Sequence, residues 1–343
     1  MWKIVLLAAL AVVAALELSA PARHEMHPTR AIEPVQFHRG VNILGYDPLW
    51  TNPQKARFQA RHFTDIRNGG FDFVRVNLFV FRHLDAQNRI DPKWLKRLDW
   101  VVANATKAGL GVILDEHDFG TCSNDVATCR VKLPAVWRQL SQRYRSQPPT
   151  VAFELLNEPH GRLDSETWNA MIPGLLSIVR ATNPTRTVII GPTHWYSLSD
   201  LPALSLPPND RNITVTFHYY GPYRFTHQGA SWSKLKDLRG VTWGSRSDRE
   251  GLRDNFDKVG AWARNERRPI LLGEFGTYDK GGTPIAMRAD YIGAVACEAG
   301  RHGFGWAYWQ FDGNFIVWDM SRDTWVRPIK DALINRRPST TAC

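Results

Sequence analysis

Two glutamates occupy equivalent places in this chain, each directly after a short, largely apolar segment. Glu158 follows VAFELLN at 151–157 and precedes a proline, whereas Glu274 follows PILLG at 269–273. Hydrolysis of a glycosidic bond needs two carboxyl groups, of which one donates a proton and the other attacks the sugar or activates water. The two glutamates are therefore candidates for such a pair.

The two carboxyl groups need opposite protonation states. We expect Glu158 to be the acid/base, because apolar surroundings and a neighbouring carboxylate raise the pKa of a carboxyl group. Pro159 biases Glu158 towards an extended backbone. We expect Glu274 to be the ionised nucleophile with a low pKa, and Gly273 before it permits close backbone approach.

Charged and hydrogen-bonding residues near the ends of other apolar segments are expected to support the nucleophile. These residues are Arg75, His218 and Tyr220. His218 and Tyr220 are two positions apart on one strand, so both side chains point to the same face. A buried arginine is costly unless it is paired, and the alternative for Arg75 is a structural ion pair with Asp72 or Glu116.

Other residues are suited to binding the sugar. The amide of Asn157 can hydrogen-bond a sugar hydroxyl, and an indole at Trp309 can carry the apolar face of a pyranose. Three tryptophans in loop-like regions are candidates for neighbouring sugar subsites: Trp195, Trp232 and Trp243.

His117 is a further candidate for the site, and it lies in the acidic motif DEHD at 115–118. This motif leaves open a metal-dependent hydrolase that would use Asp115, Glu116 and His117. We favour His117 as a residue of the rim beside the sugar, and we expect neither a metal nor an organic cofactor.

Eight short apolar segments alternate with longer amphipathic ones. The apolar segments are 36–42, 71–77, 111–117, 151–157, 187–191, 213–218, 269–274 and 305–309. Helix-like segments include 92–108, 133–145, 165–182, 249–267 and 285–302. Near-continuous apolar strands fit a parallel sheet covered on both faces, and eight strand–helix repeats predict a (β/α)8 barrel.

An open, doubly wound sheet is the rival architecture. Such a sheet usually has a glycine-rich phosphate loop after its first strand, and the segment FHRGVN at 37–42 lacks one. In a barrel, the carboxyl ends of all the strands meet at one face. The candidate residues would then share one pocket.

Composition and charge narrow the class of protein. The formal net charge is +10, but no run of lysine and arginine reaches five residues and no nucleic-acid-binding motif is evident, so we expect no nucleic-acid partner. No linker rich in glycine, serine or proline interrupts the chain, which argues for one catalytic domain.

The amino terminus predicts export. Lys3 precedes an apolar segment at 4–16 and small residues at 20–22, the form of a secretory signal peptide. We expect a signal peptide at 1–22, a catalytic domain at 23–343, and a secreted protein, extracellular or periplasmic, without a membrane span. In an oxidising compartment, the close pair Cys122 and Cys129 is expected to form a disulfide.

The other two cysteines are less constrained. Cys297 lies in an apolar helical segment, where we expect a buried free thiol. A bridge between Cys297 and the terminal Cys343 stays open. Zinc binding by Cys122 and Cys129 is disfavoured, because no second pair of ligands has suitable spacing.

Four motifs in order resemble glycoside hydrolase family 5, the cellulase family. They are FELLNEP at 153–159, TFHYY at 216–220, LGEFG at 272–276 and GWAYW at 305–309. The resemblance implies a retaining mechanism in which Glu158 is the acid/base and Glu274 the nucleophile. It also implies that the remaining core positions of the family are Arg75, His117, Asn157, His218, Tyr220 and Trp309.

The segment YGPYRFTHQGASW at 220–232 looks like a loop of bacterial endoglucanases of the family. The expected function is therefore an endo-acting β-1,4-glucanase, with a polysaccharide or oligosaccharide as its partner and a monomeric state. The alternatives are another specificity on the same scaffold (β-mannan, β-1,3-glucan or a broad β-glucosidase) or a carbohydrate-binding protein without turnover.

Overall fold

A closed barrel of eight parallel strands forms the centre of the protein, in the order β1 to β8. The computed structural model describes residues 36–335 and 343. Strand β1 pairs with both β2 and β8, which closes the barrel and leaves no sheet edge. This architecture confirms the predicted (β/α)8 fold.

The strands and helices follow each other along the chain in the expected alternation. The strands are β1 (Arg39–Ile43), β2 (Phe73–Leu78), β3 (Gly111–Glu116), β4 (Val151–Glu154), β5 (Val188–Ile190), β6 (Ile213–Tyr219), β7 (Ile270–Phe275), β8 (Gly305–Tyr308), β9 (Trp318–Asp319) and β10 (Thr324–Trp325). The helices are α1 (Ala60–Asn68), α2 (Pro92–Lys107), α3 (Phe119–Asn124), α4 (Val126–Arg143), α5 (Ser165–Arg180), α6 (Thr193–Tyr196), α7 (Tyr223–Thr226), α8 (Arg246–Glu266), α9 (Ile285–Arg301) and α10 (Arg327–Ile334).

Helix α4 begins earlier than its apolar residues indicate. The prediction placed its start at 133, but the helix begins at Val126, because the Asp125 side chain accepts a hydrogen bond from the Thr128 backbone at 3.0 Å. An aspartate at this position satisfies one of the free N–H groups at a helix start. The first turn is polar, so apolar periodicity did not detect it.

An apolar layer fills the barrel interior below the polar residues. Its members are Phe37, Phe73, Ile113, Ala152, Ile189, Leu271 and Ala307. Because side chains on a strand alternate, the residue two positions further along the same strand also points inwards. On β2, β3 and β4 these next positions are Arg75, Asp115 and Glu154, all fully buried. This apolar layer thus lies directly below the buried polar residues of the barrel.

A β-bulge between β6 and β7 aligns two of the predicted site residues. Phe217 pairs with Leu272, but the next pair is His218 with Glu274, so Gly273 is passed over. A Cβ atom at Gly273 would lie 2.8 Å from Nε2 of His218. Glycine is therefore required here, because no other residue permits this approach of the two strands.

Two disulfides are present among the described cysteines. Cys122 and Cys129 are joined, as predicted, and they lie on the neighbouring helices α3 and α4. Cys297 is joined to Cys343, so the prediction of a free thiol was wrong. The chain brings these cysteines together over a separation of 46 residues, which local sequence patterns do not reveal.

Removing the first disulfide should destabilise the protein moderately. The double substitution Cys122→Ala/Cys129→Ala opens a loop with a sequence separation of 7 residues. We expect the free energy of unfolding to fall by about 2–3 kcal/mol, the loop-closure entropy for this length. Urea denaturation of the variant and the wild type measures the difference, and an unchanged midpoint would contradict the expectation.

Among residues 36–335 and 343, no helix is long and apolar enough to cross a membrane. The predicted signal peptide at 1–22 lies outside the described residues, and so does the start of the predicted catalytic domain.

Candidate active site

The carboxyl groups of Glu158 and Glu274 face each other at the carboxyl end of the barrel. One oxygen of each carboxylate and one ring nitrogen of His218 lie within 4.8 Å of one another. Glu158 follows β4 and Glu274 is near the end of β7, so two distant parts of the chain build the pair. Retaining glycosidases hold their carboxyl groups about 5–5.5 Å apart, and inverting enzymes hold them farther apart.

The backbone at Glu158 differs from the prediction. Its φ angle is +40°, in the left-handed region, whereas Pro159 favoured an extended conformation. Two hydrogen bonds hold this turn. The backbone N–H of Asn157 donates to the Glu116 carbonyl at 2.7 Å, and Nδ1 of the His160 ring bonds the Glu158 carbonyl at 2.8 Å. Tertiary contacts thus override the local preference.

His218 contacts both carboxyl groups and lies closer to the acid. Its Nδ1 is 2.7 Å from Oε1 of Glu158 and 3.6 Å from the nearer oxygen of Glu274, so it reaches the nucleophile as expected and also bonds the acid, which the sequence did not indicate. Burial lowers the pKa of His218 well below its usual value, so the ring is neutral and has one N–H. We assign that proton to Nδ1, because Nε2 has no hydrogen-bond partner within the described part of the chain.

Burial raises the pKa of Glu158 well above its ordinary value, and the charge of Glu274 raises it further. Both effects penalise the ionised form. Glu158 therefore keeps a proton at a pH at which an ordinary glutamate has lost it, as an acid catalyst requires.

Glu274 accepts a hydrogen bond at each carboxylate oxygen. Arg75 Nη1 donates to Oε1 at 2.8 Å, and the Tyr220 hydroxyl donates to Oε2 at 2.9 Å. Burial raises the pKa of Glu274, while the charge of Arg75 opposes that rise. The sequence predicted a low pKa for Glu274, and this prediction was wrong. The two hydrogen-bond donors nevertheless stabilise the carboxylate form. Within residues 36–335, Glu158 has no ion pair with an arginine or a lysine, and it is the carboxyl group that stays protonated.

Arg75 uses every N–H of its guanidinium group. Nε and Nη2 bind Glu154 at 2.7 and 2.8 Å, Nη2 also donates to Asn157 at 2.7 Å, and Nη1 donates to Asn42 at 2.8 Å besides Glu274. A planar guanidinium suits such a bidentate pair, and burial of its charge requires one. Arg75 therefore holds several strand ends at fixed distances.

The ion-pair partners of Arg75 are not the ones the sequence indicated. Asp72 accepts hydrogen bonds from the backbone of residues 38 and 39, and Glu116 accepts one from the Asp118 backbone at 3.3 Å. The partners are Glu154, Glu274 and Asp115, the last at 3.1 Å. Inward-facing positions on neighbouring strands meet, whereas Glu116 is out of phase with Asp115.

Two residues that bind Arg75, Asn42 and Glu154, were not predicted from the sequence. Asn42 accepts from Arg75 and donates to the Gly273 carbonyl at 3.0 Å, and Glu154 forms the bidentate pair with Arg75. A signal existed for Glu154, because a carboxylate within the strand VAFE requires a buried cation. No comparable signal marked Asn42.

His117, Asn157 and Trp309 form one wall beside the carboxyl pair. The His117 ring stacks on the Trp309 indole, with centroids 5.8 Å apart and planes 5° apart. His117 Nδ1 binds Asp115 at 2.6 Å, which turns Nε2 towards the Asn157 amide at 3.4 Å. The indole orientation is thus set through a hydrogen-bonded histidine.

The predicted tryptophans separate into an exposed group and a buried one. Trp195 and Trp232 are 53% and 55% exposed, as sugar platforms must be, but Trp243 is 6% exposed and packs edge-on against Tyr291. The prediction of Trp243 as a subsite residue was wrong, because α8 and α9 cover it. Tyr223, also exposed, stacks on His227 at 4.0 Å and was not predicted.

Among the described residues, Glu158, His218 and Glu274 form the group whose geometry could hold a metal ion. The motif Asp115, Glu116 and His117 does not form such a group there, because Asp115 pairs with Arg75 and His117. A cavity of about 440 Å³ lies at the opposite, amino-terminal end of the barrel and contains none of the predicted site residues.

The chain is similar to several named endoglucanases. It is 29% identical over 324 residues to Endoglucanase H of Acetivibrio thermocellus, covering 89% of this chain and 34% of that protein. It is 27% identical over 321 residues to Endoglucanase A of Clostridium longisporum, covering 85% of this chain and 59% of that protein. The chain therefore spans only part of the length of these relatives.

Solved structures agree in fold. The endoglucanase Cel5A from the hyperthermophilic Thermotoga maritima superimposes with a TM-score of 0.82 at 35% identity, covering 87% of this chain and 97% of that one. The cellulose synthase subunit Z of Clostridioides difficile superimposes with a TM-score of 0.82 at 34% identity, covering 87% and 100%. The family model "Cellulase (glycosyl hydrolase family 5)" matches residues 33–315. This chain belongs to glycosyl hydrolase family 5.

Proposed function

We propose that this protein is an endo-acting glycosidase that hydrolyses β-1,4-glucan with retention of configuration. The observation that carries the proposal is the distance between the carboxyl groups, since oxygens of Glu158 and Glu274 lie within 4.8 Å. That limit is closer to the separation of about 5–5.5 Å in retaining enzymes than to the roughly 6.5–9.5 Å of inverting enzymes.

In the first step, Glu274 attacks the anomeric carbon while Glu158 protonates the departing glycosidic oxygen. The C–O bond to the leaving sugar breaks, and an ester between the glycan and Glu274 forms. Arg75 and Tyr220 hold the two oxygens of Glu274, so the attacking carboxylate is already oriented. His218 binds one oxygen of Glu158 and leaves the other for the proton that is transferred.

In the second step, Glu158 acts as the base. It removes a proton from a water molecule, the water oxygen attacks the anomeric carbon, and Glu274 departs as a carboxylate. Glu158 regains its proton and the product keeps the β configuration. The fall in the pKa of Glu158 when Glu274 loses its negative charge in the ester favours this change of role.

The surrounding residues are assigned to sugar binding. Trp309 would carry the sugar whose anomeric carbon reacts, with Asn157 close to its hydroxyls. Trp195 lies beside the loop of the acid and would carry the leaving sugar, while Trp232 would carry a more distant sugar. Exposed aromatic rings on two separate loops suit the binding of a long chain that is cut internally.

The names of the relatives support β-1,4-glucan as the substrate class. One related structure is described as a tri-modular endo-β-1,4-glucanase from Bacillus licheniformis complexed with cellotetraose. β-Mannan is the second candidate, since Thermotoga maritima Cel5A has been solved in complex with mannotriose.

We further propose that the protein is exported, with a signal peptide at 1–22 and a catalytic domain at 23–343, and that it acts as a monomer without nucleic acid. The two disulfides support export, because such bonds persist in oxidising compartments.

A polysaccharide panel tests the proposal. Purified protein is incubated with carboxymethylcellulose, barley β-glucan, mannan, laminarin and xylan, and product sizes are read by chromatography. We expect internal cleavage of barley β-glucan, and an NMR time course on cellotetraose should show the β-anomer first. Initial appearance of the α-anomer would refute retention, and cleavage of mannan or laminarin alone would refute the substrate class.

The pH dependence tests the assignment of the two glutamates. The free enzyme should give a bell-shaped profile of kcat/KM, because activity needs ionised Glu274 and protonated Glu158. Loss of the Glu158 proton forms the high-pH limb, and protonation of Glu274 forms the low-pH limb. With cellotetraose, whose leaving group needs the acid, the residual activity of Glu158→Gln should lack the high-pH limb of the wild type and keep the low-pH limb. A persistent high-pH limb would reject Glu158 as the acid.

A further inference from the structure

We propose that His160 is a positioning residue that couples the acid Glu158 to the platform of the leaving sugar at Trp195. The inference rests on the proposed function and deepens it, because it names the element that aligns proton donor and leaving group. His160 lies two residues after the acid, on the loop that follows β4.

The first link is a hydrogen bond to the backbone of the acid. Nδ1 of His160 lies 2.8 Å from the carbonyl oxygen of Glu158, and this carbonyl can only accept. Nδ1 is therefore the protonated nitrogen. Because Glu158 has a φ of +40°, which costs energy for a residue with a side chain, the bond holds a conformation that the chain would not keep alone.

The second link is a stacked ring pair. The imidazole of His160 and the indole of Trp195 have centroids 4.4 Å apart and planes 20° apart. Trp195 is half-exposed, and its backbone amide donates to the Pro159 carbonyl at 3.4 Å. The indole and its backbone thus both contact the loop that carries the acid.

The conformation of the Trp195 turn shows why it needs this support. His194, Trp195 and Tyr196 all have positive φ angles, of 52°, 60° and 55°. Left-handed residues with side chains are uncommon, and three in succession need tertiary contacts to hold them. On one side, the Tyr196 hydroxyl donates to the Leu156 carbonyl. On the other side, the His160 ring contacts the indole.

His160 is itself anchored to helix α3, which contains Cys122. Its backbone amide donates to Oγ of Ser123 at 3.3 Å, and the Arg162 amide donates to the Ser123 carbonyl at 2.9 Å. The ring also packs against Phe119, with centroids 5.7 Å apart. Contacts with helix α3 therefore hold the His160 ring that contacts both Glu158 and Trp195.

Two substitutions separate the two links. His160→Phe keeps a ring against Trp195 and removes the donor to Glu158. His160→Asn keeps a donor near the position of Nδ1 and removes the ring. His38→Phe is the matched control, because His38 is exposed at the opposite end of the barrel.

The readout is kcat/KM on two substrates. Dinitrophenolate departs from dinitrophenyl β-cellobioside without a proton, whereas cellotetraose needs the acid. For His160→Phe, we expect the loss on cellotetraose to exceed the loss on the aryl glycoside by roughly 10-fold or more, part of the 10²–10⁴-fold that a general acid contributes. The ratio is independent of the fraction of folded enzyme, because both assays use one preparation.

For His160→Asn, we expect this ratio to remain within a factor of about 3 of wild type, while KM for cellotetraose rises about 2- to 3-fold through loss of the stacked pair. A His160→Phe variant with equal losses on both substrates, or a ratio for His160→Asn that equals that of His160→Phe, would overturn the inference. Glu158→Gln tests the proposed function separately from the role of His160. If this variant hydrolyses cellotetraose like the wild type, Glu158 is not the acid and the proposed function fails instead.

Discussion

Replacing Glu274 with glutamine should lower kcat on barley β-glucan by about 10⁴-fold or more, because the amide cannot form the glycosyl ester. Glutamine has the same shape, its carbonyl oxygen can still accept from Arg75, and its NH2 group can donate to the Tyr220 hydroxyl oxygen. Binding of cellotetraose should therefore persist within about 10-fold of the wild type, as measured by isothermal titration calorimetry.

The control for this experiment is Glu266→Gln, which makes the same exchange at an exposed position at the end of α8. It should leave kcat unchanged. Retention of more than a tenth of wild-type kcat by Glu274→Gln would exclude Glu274 as the nucleophile. If the wild-type protein binds cellotetraose but hydrolyses none of the substrates, it is a carbohydrate-binding protein without turnover, the alternative given by the sequence.

Replacing Arg75 with methionine should cause the largest loss of stability of any substitution considered for this protein. The change leaves Asp115, Glu154 and Glu274 buried without their cation. Breaking a buried ion pair by removing one partner costs about 3–5 kcal/mol. The free energy of unfolding, measured by urea denaturation, should fall by that amount.

Activity should fall as well, since the pKa of Glu274 rises without Arg75 and the low-pH limb of the kcat/KM profile moves to higher pH. Arg89→Met is the matched control. Arg89 is exposed and pairs with Asp85 at 2.7 Å, and such surface pairs contribute about 0–1 kcal/mol. If both variants lose the same stability, Arg75 is not the electrostatic centre of the barrel.

The pKa of Glu154 illustrates how finely this network is balanced. Burial raises the pKa of Glu154 to about 7, although Arg75 binds it through both carboxylate oxygens. One guanidinium thus compensates several carboxylates only in part. The same partial compensation keeps Glu158, which has no cation of its own, in its protonated form.

The barrel and the proposed catalytic pair could be predicted from the sequence, because both are local patterns. An apolar segment that ends in a carboxylate is visible at 151–158 and again at 269–274. A parallel barrel places every strand end at one face, so residues far apart in the chain could be assigned to one pocket before any distance was known. The boundary of α4 was missed, since its first turn is polar.

Tertiary structure decided which residues touch. Side chains alternate along β3, so Asp115 points towards Arg75 and Glu116 points away from it. Because β4 lies next to β3, Glu154 also pairs with Arg75. The bulge at Gly273 brings His218 beside Glu274, yet its Nδ1 binds Glu158. Burial of Trp243 and the bridge from Cys297 to Cys343 depend in the same way on distant segments.

The sequence by itself therefore determined the fold class and the family, and it singled out the two glutamates that we propose as the catalytic pair, because each depends on short segments of neighbouring residues. Only the folded chain decided the pairing of charges, the left-handed backbone at Glu158 and the contact of His160 with Trp195. The physical reason is that hydrogen bonds and ion pairs act over a few ångströms in space, whatever the separation along the chain.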